Sequence, residues 1–162
     1  MKTLLILRHA KSSQKKPVDD HDRPLNKRGK SDAPRMGKVL REAGLQPDLI
    51  ISSTATRART TAEKVAQHSG YPGVVELSND LYLAGPESYR RVLRDVSDAH
   101  ESVLLVGHNP GLEMFLEALT GQDEILPTAA LAHVRVEIEH WGELDESARG
   151  EVAAVWRPRL LP

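Results

Sequence analysis

Two arginines and two histidines draw attention because of what precedes them. Leu4–Leu7 is an uninterrupted apolar run that ends in Arg8 and His9. Arg57 closes the STATR stretch that follows the apolar run Leu49–Ile51, and His108 follows Val103–Val106 and one glycine. If the four side chains converge, they form an anion site. Guanidiniums offer planar paired donors that match phosphate oxygens. An imidazole near neutral pH is a competent nucleophile. Attack by His9 on phosphorus would give a phosphohistidine intermediate that water then hydrolyses. Arg8, Arg57 and His108, the last protonated beside a dianion, would hold the charge on the equatorial oxygens. His9 must be neutral to attack. With the histidine reference near 6.5, activity is expected to fall below roughly pH 6.

Such convergence needs elements that deliver all four groups to one rim. Strand-length apolar runs occur at Thr3–Leu7, Leu49–Ile51, Val74–Leu77, Val103–Val106, Leu131–Ile138 and Val152–Trp156. The first four lack alternation, as expected of strands buried on both faces. The fifth alternates through Val134, Val136 and Ile138, which predicts an antiparallel or edge strand. Helical spacing links the runs. Met36, Val39, Leu40 and Ala43 share one face, with Gly44 as a stop. Pro34 interrupts that pattern, so the helix either kinks there or starts near Asp32. A second helix carries Ala58, Ala62, Val65 and Ala66 and ends near Gly70. A third runs from Pro86 to Val96. A fourth starts at Pro110, with Asn109 as its cap. Alternating strands and helices predict an α/β fold of three layers, a mainly parallel central sheet flanked by helices. Ligands in such folds bind beyond the carboxyl ends of the strands. That is where Arg8, His9, Arg57 and His108 fall. The helix after His108 would add backbone N–H groups and a partial positive charge.

The 162 residues suit one domain, 1–162, burying roughly 70% of its unfolded surface. Net charge is −1, so long-range attraction to nucleic acid or membrane is not indicated, and neither is expected as a partner. The absence of cysteine excludes disulfides, thiolate catalysis and zinc–thiolate sites. The apolar run before Arg8 is too short for a signal peptide or a membrane span, and a cytoplasmic location is expected.

RHAK (8–11), DRPLNKRG (22–29), SSTATRARTTAE (52–63) and VGHNPGL (106–112) together resemble the ordered motifs of the histidine phosphatase superfamily, the phosphoglycerate-mutase-like fold. The short chain, DHDRPLNKRG and GHNPGLE are most similar to the small SixA-like phosphohistidine phosphatases, without large insertions. The resemblance implies His9 as nucleophile and Arg8, Arg57 and His108 as the rest of a phosphate pocket. It implies no metal and no organic cofactor. Mutase-type members carry a proton-donating glutamate in an L-x-E motif after the third strand. Here that stretch reads NDLYLAG (79–85), and Asp80 is the nearest carboxylate, the candidate proton donor. An alkoxide leaving group needs such an acid, worth typically about 10²–10⁴-fold. An imidazole whose remote nitrogen is protonated leaves neutral without one. The expected substrate is therefore phosphohistidine on a protein partner.

Other residues have plainer expectations. The polar stretch Lys11–Asn26 should wall the pocket, with Ser12 and Lys15 as candidate substrate contacts. Asp22 is expected to have a structural part, as an Asx-turn residue or as a partner of Arg23 or Arg28, and Arg59 to be structural. His21, His68, His100, His133 and His140 have no motif context and are expected at the surface. Three alternatives stand beside the phosphohistidine reading. One is a phosphatase of small phosphoesters or nucleotide-like compounds. Another is a module that binds phosphate or phosphoprotein without turnover. The third is a metal site drawn from His9, Asp20, His21, Asp22 and His108, which two arginines in the same pocket disfavour.

Overall fold

The computed structural model describes residues 1–15 and 17–162. The chain runs β1 (Lys2–Arg8), α1 (Lys27–Glu42), β2 (Leu49–Ser53), α2 (Thr56–Ser69), β3 (Glu76–Ser78), α3 (Pro86–Arg94), β4 (Ser102–Gly107), α4 (Gly111–Thr120), β5 (Leu131–Val136) and β6 (Gly150–Trp156). All six strands form one sheet in the order β3-β2-β4-β1-β5-β6. The β3-β2-β4-β1 part is parallel. β5 and β6 complete it antiparallel.

The unbroken apolar runs have a direct cause. In β1, Leu4 and Ile6 face one core while Leu5 and Leu7 face another. β4 divides in the same way, Val103 and Leu105 against Leu104 and Val106. Met36 and Leu40 of α1 and Ala58, Ala62 and Val65 of α2 cover one face. Tyr89 and Leu93 of α3 and Leu112, Phe115, Leu116 and Leu119 of α4 cover the other. Period-two side chains need an apolar residue at every position when both faces are dry.

The structure corrects one expectation and decides between the alternatives of two others. The run Val74–Leu77 is not a buried strand. β3 is a three-residue strand at the edge of the sheet, with Leu77 in it and Val74 before it both exposed. β5 is antiparallel as expected but not an edge, since β6 pairs beyond it. Of the two readings of Pro34, the start near Asp32 is overturned and the helix runs through the proline. α1 begins at Lys27, where the Asn26 side chain accepts the Gly29 N–H at 2.9 Å, and continues through Pro34. The packing of Met36 and Leu40 against the sheet outweighs one lost backbone hydrogen bond. Gly44 and Gly70 end their helices with positive φ, as the sequence pattern predicts.

Candidate active site

Register explains why the site exists. Arg8 of β1 pairs with Gly107 of the adjacent parallel strand β4, so His9 and His108 leave the sheet side by side. The His9 N–H donates to the Gly107 carbonyl at 3.1 Å. The two rings lie 5.0 Å apart, centroid to centroid, tilted by 51°. On the other flank of β4, Ser52 of β2 pairs with Val106, which sets Ser53 beside His108. The Ser53 hydroxyl and His108 Nε2 are 2.8 Å apart. α2 starts three residues after β2 and carries Arg57 in its first turn. Arg57, His9 and His108 are all buried. Arg8 lies close enough to Arg57 and to both histidines for its charge to bear on them. The four residues singled out from the sequence therefore meet at the carboxyl ends of β1, β2 and β4.

Hydrogen bonds define the chemical state of His9. Its Nδ1 lies 2.8 Å from the Ala10 carbonyl, which only accepts. Nδ1 therefore carries the proton, and Nε2 keeps the lone pair. The Ala10 N–H is held by the Thr61 hydroxyl at 3.0 Å, and that hydroxyl donates to the Arg57 carbonyl one helical turn back. One threonine thus ties the His9 strand end to the Arg57 turn.

Electrostatics keep both imidazoles neutral. Burial, and then the charges of His108, Arg57 and Arg8, lower His9 to about 3 against one opposing hydrogen bond to Ala10. Burial and then Arg57 lower His108 to about 4. The expected fall in activity below roughly pH 6 rested on the reference value, which ignores desolvation and the charges of Arg57 and Arg8; with His9 lowered, the fall moves to more acid pH.

Buried polar atoms without a partner among the described residues include Arg8 Nε, Arg57 Nε and His108 Nδ1. Orphaned buried donors are costly and rare. Three at one rim, two of them from guanidiniums, fit an anion.

The carboxylate at this rim is Asp20, not Asp80. Asp80 is exposed in the turn after β3 and lines a separate groove with Leu77, Ser78 and Val96. The short 3₁₀ turn Asp20–Asp22 folds over the site instead. Arg57 Nη1 donates to the Asp20 carbonyl at 2.7 Å and Nη2 to its carboxylate at 3.1 Å. Tyr82 donates its phenol to the same carboxylate oxygen at 2.6 Å. Arg23 grips the other oxygen through two donors, at 3.1 and 2.9 Å. The Tyr82 hydrogen bond, with Arg23 and Arg57, holds the Asp20 carboxyl well below the usual range. Such a group does not donate a proton near neutrality. The Tyr82 ring stands edge-on to His108 at 5.6 Å and to His21 at 4.9 Å. His21, expected at the surface, bonds the Thr54 hydroxyl at 2.8 Å and belongs to this rim.

Other site expectations also change. Ser12 is buried with its hydroxyl accepting from Arg23, and with Lys15 it lines a groove formed with Pro24–Lys27 and Lys30 rather than the His9 pocket. Asp22 pairs loosely with His21 at 3.6 Å, whereas Asp20 takes Arg23 and Asp32 takes Arg28. Among the described residues, no three His, Cys, Asp or Glu side chains gather to hold a metal ion, so the five-residue metal set is not assembled. Among them, too, no helix is long and apolar enough to cross a membrane. Sequence reasoning overlooked Asn109 and Glu113 as a unit. Asn109 donates to Glu113 at 3.0 Å and to the Leu126 carbonyl at 2.8 Å, and that carbonyl also takes Arg8 Nη1 at 3.1 Å. The i, i+4 spacing of these two residues in GHNPGLE was the available signal.

Comparison with known proteins agrees with this geometry. Residues 4–81 match the model of the histidine phosphatase superfamily, branch 1. The uncharacterized protein Rv1276c of Mycobacterium tuberculosis is 34% identical over 150 residues, covering 86% of this chain and 92% of that one. A crystal structure from Agrobacterium tumefaciens, named as a candidate phosphohistidine phosphatase SixA, is 28% identical with a TM-score of 0.81, covering 97% of this chain and 98% of that one. A second, so named from Nakamurella multipartitia, is 25% identical with a TM-score of 0.86, covering 97% and 96%. With the motifs on consecutive strand ends and the fold shared over nearly its whole length, the chain belongs to the histidine phosphatase superfamily.

Proposed function

We propose that this phosphatase hydrolyses phosphohistidine on a protein partner, through a phosphoenzyme formed on His9 and without a metal or organic cofactor. His9 Nε2 attacks phosphorus in line, and the bond from phosphorus to the substrate imidazole breaks. The leaving ring, already protonated on its remote nitrogen, departs neutral. Water then attacks the phosphorus of phospho-His9, the bond from phosphorus to Nε2 breaks, and a water proton passes to a phosphate oxygen, releasing dihydrogen phosphate and neutral His9. Arg8 and Arg57 donate to the equatorial oxygens. His108 needs no positive charge for its part. Ser53 accepts from the Ala55 N–H at 3.2 Å and so can donate to His108 Nε2, leaving Nδ1–H for phosphate. The observation that carries the reading is the trio of unpartnered buried nitrogens, Arg8 Nε, Arg57 Nε and His108 Nδ1, around a histidine whose Nε2 is unprotonated.

Neither carboxylate considered as a general acid is poised as one, which favours phosphohistidine over phosphoesters: Asp80 lines a separate groove and Asp20 is held ionised. Two solved relatives carry phosphohistidine phosphatase in their names, which points the same way. Trapping tests the mechanism. Incubation with phosphoimidazole or a phosphohistidine protein should yield an acid-labile phosphoenzyme that His9→Ala abolishes, together with about 10⁴-fold or more of the turnover. Faster turnover of sugar phosphates than of phosphohistidine would reject the substrate assignment. Phosphate binding with no phosphoenzyme would reject catalysis.

A further inference from the structure

The C-terminal segment packs back onto the domain. Trp156 and Leu161 join the α1–α2 core, and Arg35 donates to the Pro158 carbonyl at 3.2 Å. Arg157, Arg159 and Leu160 thereby wall a cleft of about 710 Å³ that Arg8 also lines. Within it Arg157 is fastened to Glu124 at 3.0 Å and to the Ile125 carbonyl, so that pair cancels locally. What remains is cationic. Arg8, Lys11, Arg28 and Arg159 line the cleft against one further carboxylate, Asp123. Arg28 is only loosely paired with Asp32, at 3.5 Å. The chain as a whole carries −1, so this excess is local. Two large aliphatic side chains stand at the same wall, Ile125 at 71% and Leu160 at 77% exposure. A small phosphoester held at Arg8, Arg57 and His108 would leave both uncovered. Cations interleaved with bare aliphatics complement an acidic segment that carries an apolar side chain.

We propose that this cleft seats an acidic stretch of the partner protein adjoining its phosphorylated histidine, with carboxylates on Lys11 and Arg159 and an apolar side chain across Ile125 and Leu160. The proposal rests on the phosphohistidine-protein reading above. It assigns the C-terminal segment a part in substrate selection.

Histidine peptides phosphorylated with phosphoramidate and flanked by Glu-Leu, Gln-Leu or Lys-Leu test it, with phosphoimidazole as the minimal substrate. The Glu-Leu peptide should exceed Gln-Leu by about 10-fold in kcat/KM, and the Lys-Leu peptide should be poorest. The preference should vanish in about 0.5 M salt. The double variant Lys11→Glu, Arg159→Glu should invert the order of the three peptides, and Leu160→Ser should weaken all three while turning over phosphoimidazole within about twofold of wild type. Equal rates for the three peptides in wild type, or an unaltered order in the double variant, overturn the proposal. If neither phosphoimidazole nor any peptide is hydrolysed, the phosphohistidine reading fails. Fluorescence anisotropy with the same unphosphorylated peptides then decides the cleft separately. Tighter binding of Glu-Leu than of Lys-Leu supports it, and equal binding rejects it.

Discussion

A neutral imidazole set among arginines is ready to attack at pH values where a free histidine is mostly protonated. With His9 lowered to about 3 and His108 to about 4, neither of these two site histidines changes protonation between pH 8 and 5. Once the substrate's own ionisation is allowed for, kcat/KM should stay level over that range and fall only towards pH 4. An enzyme-borne pKa near 6.5 in that profile would show that His9 is not desolvated as described. Asp20 acts one step further out, by orienting Arg57, Arg23 and Tyr82. Asp20→Ala leaves two guanidiniums and a phenol without their shared acceptor and should lower kcat about 10- to 100-fold. Asp20→Asn keeps an acceptor oxygen and should recover most of it. Full activity in Asp20→Ala would make the carboxylate a surface residue only.

The elements hold these side chains through close backbone approaches. α1 begins where the loop after β1 crosses it, and the Asn26 N–H donates to the Lys11 carbonyl at 2.9 Å. A Cβ at Gly29 would collide with that same carbonyl oxygen, which is backbone and cannot swing aside. Gly29→Ala should therefore cost about 1–3 kcal/mol, read as a lower midpoint in denaturant, and should loosen the Arg23–Asp20 strap. An unchanged midpoint would mean that loop and helix separate freely. Pro34 left two readings open along the sequence, a helix through it or one starting near Asp32, and the Asn26 cap that decides for the first was not singled out. A local rule about proline yields when the rest of the helix has a large apolar face to bury.

At the scale of the whole molecule, the site is a debt carried by the fold. Unfolded histidines titrate near 6.5, whereas folded His9 and His108 titrate near 3 and 4. Between those limits the unfolded chain binds more protons. Their contribution to stability is complete above about pH 6.5 and is lost progressively as pH falls, by up to about 1.4 kcal/mol per pH unit for each. Thermal midpoints should drop between pH 6.5 and 4, and more shallowly in His108→Gln. A wild-type midpoint unchanged down to pH 4.5 would contradict buried neutral imidazoles.

The two-faced core was readable because a sheet covered on both sides leaves no polar positions along β1 and β4, and linear order preserves that signature. So were Arg8, His9, Arg57 and His108, since each directly follows an element whose period or apolar run marks it. The sequence alone determined that these groups reach one rim, because parallel strands all present their carboxyl ends there. It did not determine which carboxylate joins them. Asp20 and Tyr82 lie 62 residues apart and touch only because a turn closes over α2. Nor did it reveal the neutrality of the two histidines or the cleft against the C-terminal segment. Burial, charge summation and chain return are properties of three-dimensional neighbours, which no spacing along the chain encodes.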